Sequence, residues 1–414
     1  MSDTIREQKI FQRHGQQLIF ENNDLDFYLL QILGYIPYEG AALGECLYTA
    51  SQIDEKDPTS WVNAWTALAD RLEDTANHRE HKGHVQSARQ IYLRASMAYR
   101  AAAVLLPPGD QMRLNWDAIR RTFQAAAKLF DPPIEPISVP YAGYDLLGYF
   151  VPAVGARQPR PTVIMVGGGE VYSEEMYFWA AAPGRRRGYN TLLIDLPGHV
   201  ATPFTGLNVL SLLEESDGLN AMVQAAHSAV VDYLLTRDDV DPERIVAYGI
   251  SGGGYMVGVA AVTEQRLAAV ALSTPIMDLN RVLQAEWPPI LRSVPSFMTD
   301  TLVKMASRVN PISRILLQRI LWNAGADSIS TYLSYMEQAQ FDPHDIVLPT
   351  LCMASTKDPE ECIRQTHAFY DLLPTTQKAK VIFDAETGAD AHCQVNNPEF
   401  VYATLFDWFD EVLA

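Results

Sequence analysis

Arg244-Ile245-Val246-Ala247-Tyr248-Gly249-Ile250-Ser251-Gly252-Gly253-Gly254-Tyr255 is the stretch on which the fold turns. Ile245 to Tyr248 is a short apolar run of the kind buried in a parallel sheet. Tyr255 to Val262 is rich in small and apolar residues, as a helix packed beneath such a sheet would be. Between them Gly249-Ile250-Ser251-Gly252-Gly253 matches G-x-S-x-G, so a strand must become a helix within a few residues with a serine at the apex. Such a turn holds the serine in a strained backbone conformation, tolerated only where nearby positions lack side chains. It lifts the hydroxyl above the sheet edge and aims the first helical N–H groups at whatever the hydroxyl attacks. A glycine-rich turn that binds phosphate is the competing reading of the same letters.

Outward from this turn, strand and helix patterns alternate. Thr162–Val166, Thr191–Ile194, Ile245–Tyr248, Ala268–Leu272, Thr350–Met353 and Ala379–Phe383 read as strands. Glu174–Ala182, Leu219–Leu235, Tyr255–Val262 and Glu399–Val412 read as helices. That order predicts an α/β fold with a mostly parallel sheet covered on both faces. Ile137-Ser138-Val139 and Leu146–Val151 add a hairpin ahead of it. Residues before about 130 read as helices (Asp24–Ile36, Trp61–Leu72, Val85–Leu106), with Ser60 as a candidate cap. Asp131-Pro132-Pro133 marks a boundary. The expected organisation is a helical N-terminal domain over residues 1–133 and a catalytic domain over 134–414. A helical cap is inserted at about 275–346.

A serine hydroxyl needs a base within hydrogen-bond reach, and the base needs an acid to orient it. In a fold of this kind the chain order is serine, acid, histidine. Asp358, in the loop after Leu351-Cys352-Met353, is the candidate acid, with Glu360 and Glu361 as alternatives that fit a helix first turn equally well. His392 is the histidine that follows the last strand. His199 reads as a loop residue lining the site or structural, and His227 as packed or surface. His344 and His367 fall outside the expected place. Charge developing on a carbonyl oxygen calls for N–H donors. Gly252 supplies one, and the loop Gly167-Gly168-Gly169-Glu170 the other, through Gly169 or Gly168.

Composition sets limits. The chain has 414 residues, 48 % hydrophobic and 20 % charged, with a formal charge of −18, which disfavours nucleic acid and anionic membrane as partners. Four cysteines show neither metal spacing nor a disulfide framework. His78, His81 and His84 lie in a charged segment that no further ligand completes, so no metal and no cofactor is expected. The start, Met1–Glu7, lacks a signal-peptide pattern, and no run is long enough to span a bilayer, which points to the cytoplasm. Homodimerisation through the N-terminal helices is left open.

With these motifs the chain resembles the α/β-hydrolases. More narrowly, it resembles the fungal hydrolases that shorten polyketides and the bacterial 2,6-dihydroxypseudooxynicotine hydrolases. The resemblance is carried by Gly167-Gly168-Gly169-Glu170 with Glu174-Glu175, by Gly249–Tyr255, by Ala391-His392-Cys393-Gln394 and by the helical N-terminal segment. It implies a lid built partly from that segment, and a Ser251–Asp358–His392 triad that cleaves a carbon–carbon bond beside a ketone. A bulkier residue is usual where Gly169 stands. The expected substrate is a small aromatic or polyketide-type molecule, held under a cap carrying Trp287, Phe297, Trp322, Tyr332 and Tyr335. Ester or lactone cleavage, acyl transfer, cyclisation and non-catalytic ligand binding are the alternatives on the same scaffold.

Overall fold

The computed structural model describes residues 17–155, 158–285, 300–301 and 310–414. Eight strands form one sheet in the order β1-β2-β4-β3-β5-β6-β7-β8. They are β1 Glu135–Tyr141, β2 Tyr144–Val151, β3 Arg160–Val166, β4 Asn190–Ile194, β5 Val240–Ile250, β6 Ala269–Ser273, β7 Thr350–Ser355 and β8 Lys378–Phe383. β1 and β2 form an antiparallel hairpin, and β2 is antiparallel to β4. From β4 to β8 every pairing is parallel. The chain therefore has the expected α/β architecture, a mostly parallel sheet.

Central strands read as unbroken apolar runs because both faces are covered. Along β3, Val163 and Met165 enter one core and Ile164 and Val166 the other. The first core is shared with the N-terminal helices Asn23–Leu33, Pro58–His81, Val85–Ala103 and Asp110–Lys128, and with the closing helix Pro398–Val412. The second packs against Leu219–Leu235, Gly252–Thr263 and Glu360–Leu372. Trp61 is fully buried in the helical region, its indole N–H donating to the Ala101 carbonyl at 2.8 Å.

One local expectation is corrected and one helix is longer than expected. The Pro58–His81 helix is capped by Asp57, whose carboxylate accepts from the Thr59 N–H. Ser60 lies inside the first turn, and its hydroxyl bonds back to Asp54 and Asp57. Proline at the first helical position moves the boundary upstream of Ser60. Glu174–Ala182 is part of a longer helical path, Ser173–Arg186, with a wider turn at Tyr177–Ala181. His78, His81 and His84 are all exposed. No group of His, Cys, Asp or Glu among the described residues is arranged to hold a metal. No described helix is long and apolar enough to cross a membrane.

Between β6 and β7 the described part of the excursion consists of the helices Leu279–Ala285, Pro311–Ala324 and Ile329–Met336. Trp287 and Phe297 lie outside the described residues.

Candidate active site

β5 ends at Ile250 and the next helix begins at Gly252, leaving Ser251 alone in the turn with φ 52° and ψ −121°. A non-glycine residue reaches this region only where its surroundings enforce it. The surroundings are the glycines. A Cβ added at Gly249 would strike the Gly253 carbonyl, and one at Gly253 would strike the carbonyls of Val166 and Gly167. The Ser251 N–H donates to the Ser273 carbonyl at 2.6 Å, tying the turn to β6.

Three side chains from three loops meet here. Ser251 Oγ is 3.1 Å from His392 Nε2, and His392 Nδ1 is 2.5 Å from Asp358 Oδ1. The other carboxylate oxygen of Asp358 accepts from the Ser355 N–H at 2.7 Å, so both oxygens are committed. Asp358 is buried and His392 partly exposed. Burial works against the imidazolium, but neighbouring Cys393 and the Asp358 carboxylate outweigh it, and His392 is held above its ordinary pKa. Glu360 and Glu361 sit in the first turn of the next helix, where Glu361 pairs with Arg364 and Arg281. They serve that helix rather than the histidine.

The glycine loop after β3 closes against the serine. A Cβ at Gly168 would lie 3.1 Å from Ser251 Cβ, and one at Gly252 would lie 3.5 Å from the Gly169 nitrogen. The Gly169 and Gly252 backbones thus approach each other beside the hydroxyl. Neither N–H meets an acceptor among the described residues. A Cβ at Gly169 would meet nothing within 4 Å, so the missing side chain leaves open space.

Two cavities flank the serine and share Gly169 and Glu170. One of about 90 Å³ is walled by Phe27, Tyr28, Gln31, Arg100 and Trp179 around Ser251 and His392. The Phe27 and His392 ring centroids are 6.4 Å apart. The other, about 180 Å³, runs beside the helices Pro311–Ala324 and Ile329–Met336, between Tyr255, Met256, Ile320, Asn323, Tyr332 and Tyr335. Trp322, expected in this wall, instead packs its ring against Phe204 at 4.7 Å.

Of the remaining histidines, His199 is buried and lines the larger cavity. Its Nδ1 accepts from the Leu196 N–H, and burial pushes its pKa down to about 4, so the ring is neutral. Its 3.8 Å approach to Asp195 is therefore no ion pair. Asp195 itself is pushed up to about 8 by burial and by nearby Glu174. His227 is packed within its helix, while His344 and His367 are exposed.

Phe27, Gln31, Arg100 and Asn323 have no part in the sequence reading of the site. Arg100 carried a signal, an arginine inside the apolar run Ala95–Leu106. It forms a buried ion pair with Glu175 at 2.6 Å, and Gln31 and Tyr35 donate to the same carboxylate. The Glu174-Glu175 motif thus fastens the N-terminal helices to the back of the glycine loop.

A family model, the prolyl oligopeptidase family, matches residues 177–294 across this turn. The solved structure of 2,6-dihydroxy-pseudo-oxynicotine hydrolase superposes with a TM-score of 0.64 over 91 % of this chain and 95 % of that one, at 21 % identity. The chain has the α/β-hydrolase fold. Its relatives include 20-hydroxy-prefusarin hydrolase FUS2 of Gibberella moniliformis, 31 % identical over 277 residues and 65 % of each chain. Hydrolyase poxO of Penicillium oxalicum is 27 % identical over 335 residues and 77 % of each chain. At 91 % of this chain, the superposition takes in part of the helical N-terminal region as well as the sheet.

Proposed function

We propose that this hydrolase cleaves a carbon–carbon bond beside a ketone in an aromatic or polyketide-type secondary metabolite, using Ser251, His392 and Asp358. The observation that carries this reading is the hydrogen-bonded chain Ser251 Oγ–His392–Asp358 at the junction of two cavities. Ser251 Oγ bonds to the carbonyl carbon as its proton passes to His392 Nε2, and the Gly169 and Gly252 N–H groups receive the oxyanion. Collapse breaks the C–C bond. Its electron pair goes to a carbon stabilised by a second carbonyl or a phenol ring, and His392 returns the proton there. Water, deprotonated by His392, then releases the acyl group as a carboxylic acid. An ester or lactone follows the same path with oxygen as the leaving atom.

The relatives' names, one a 20-hydroxy-prefusarin hydrolase, support the metabolite class. So do the phenol and apolar side chains of the larger cavity, which suit a flat, partly hydroxylated ligand. In this reading residues 1–133 act as a lid domain and about 275–346 as a cap over the 134–414 catalytic domain. The enzyme works in the cytoplasm without a cofactor. The test is turnover of β-dicarbonyl, acyl-phenol and ester substrates in ¹⁸O-water by wild type and Ser251→Ala. One ¹⁸O in the acid product, and loss of turnover in the variant, are expected. Undiminished turnover by Ser251→Ala would overturn the mechanism. Unlabelled product would make it acyl transfer or cyclisation.

A further inference from the structure

The glycine loop has little stiffness of its own, because Gly167, Gly168 and Gly169 are adjacent. Three of its carbonyls are nevertheless engaged. The Gly168 carbonyl accepts from the Val171 N–H at 3.1 Å, closing the turn. The Gly169 carbonyl accepts from Asn323 Nδ2 at 3.0 Å, and the Glu170 carbonyl from Arg100 Nη2 at 3.2 Å. Asn323 belongs to the cap helix Pro311–Ala324 and Arg100 to the N-terminal helix Val85–Ala103. Both are buried. The Asn323 amide has one admissible orientation, since a carbonyl accepts only and requires the NH₂ end. Arg100 is itself held by Glu175 through its Nε.

In a planar trans peptide the carbonyl of one residue and the N–H of the next point opposite ways, so the Gly168 carbonyl, held by the Val171 N–H, directs the Gly169 N–H. Arg100 pins the 170–171 peptide that carries this Val171 N–H, and Asn323 pins the 169–170 peptide between them. We infer that Asn323 and Arg100 are positioning residues, which set the Gly169 N–H at the angle an oxyanion requires. The donor pair with Gly252 is then assembled only while the cap and the N-terminal helices are both seated on the loop. This rests on the reading of Ser251 as nucleophile given above. It goes beyond that reading in making donor geometry the product of two elements that never touch the hydroxyl.

The test is the rate at which a small fluorophosphonate phosphonylates Ser251, a reaction that needs the serine, the histidine and the donor pair but no cavity contacts. Asn323→Asp keeps the side chain's shape and removes the donor. Arg100→Lys keeps the cation beside Glu175 but cannot also reach the Glu170 carbonyl. Each is expected to slow labelling about 10- to 100-fold, the scale of a misplaced rather than deleted donor. With a substrate, kcat should fall by the same factor while KM changes less than about threefold. Circular dichroism and thermal melting identify any unfolded variant, in which case the other decides. Labelling of both folded variants at the wild-type rate would overturn the inference and leave Ser251 as nucleophile. Absence of Ser251-dependent labelling in the wild type would remove the underlying reading and this inference with it.

Discussion

Asp358→Asn is the most discriminating single substitution, because the structure dictates how the new amide must sit. The carboxylate accepts two hydrogen bonds, from the Ser355 N–H at 2.7 Å and from His392 Nδ1 at 2.5 Å. The backbone donor at Ser355 cannot become an acceptor, so the asparagine oxygen must stay there and its NH₂ must face His392. Nδ1 is then obliged to accept, which moves the ring proton to Nε2, the nitrogen 3.1 Å from Ser251 Oγ. A protonated Nε2 cannot take the serine proton. The expected loss is about 10⁴ in rate, or about 5.5 kcal/mol of barrier, with both hydrogen bonds and the packing retained. The assay is the rate of fluorophosphonate labelling at pH 7 and the thermal midpoint of the same samples. A folded variant labelled within about tenfold of wild type would refute the assignment of Asp358 as orienter and the tautomer argument with it.

The pH dependence follows from the elevated pKa of His392, held above its ordinary value of about 6.5 against the opposing effect of burial. A base must be neutral to act, so the labelling rate should rise with pH and reach half-maximum above about 6.5. A midpoint at or below that value would contradict the assignment. The sign for stability is opposite. This group favours the fold fully below its unfolded value, and the contribution fades as pH rises through the folded one. The wild-type thermal midpoint should therefore fall on the alkaline side, and His392→Gln should flatten that fall. Ser251→Gly should abolish labelling yet raise stability by about 1 kcal/mol, since φ 52° and ψ −121° cost a side-chain-bearing residue more than glycine's added entropy. A melting temperature below that of Ser251→Ala would contradict it.

Much of the fold was legible because it rests on local signals. Apolar runs of strand length, helical spacing and the glycines around Ser251 each act over fewer than a dozen residues. They led to the mostly parallel sheet, to the strand–serine–helix turn, and to the chain order placing Asp358 and His392 on later loops. Ser60 was misplaced as a cap because a hydroxyl in a first turn and one at a cap look alike in sequence. Trp322 was misplaced because an aromatic residue on a helix declares that it will be buried, not which neighbour it will meet. Phe27, Gln31, Arg100 and Asn323 went unread for a related reason. Each faces the site only because separate helices pack onto the glycine loop, and no spacing in the chain encodes that approach. The sequence by itself determined the elements, their order and the chemistry of the three side chains. Tertiary structure alone decided that the three meet within hydrogen-bond distance, what walls the cavities and what braces the loop. These are contacts between segments tens to hundreds of residues apart, and packing rather than periodicity selects them.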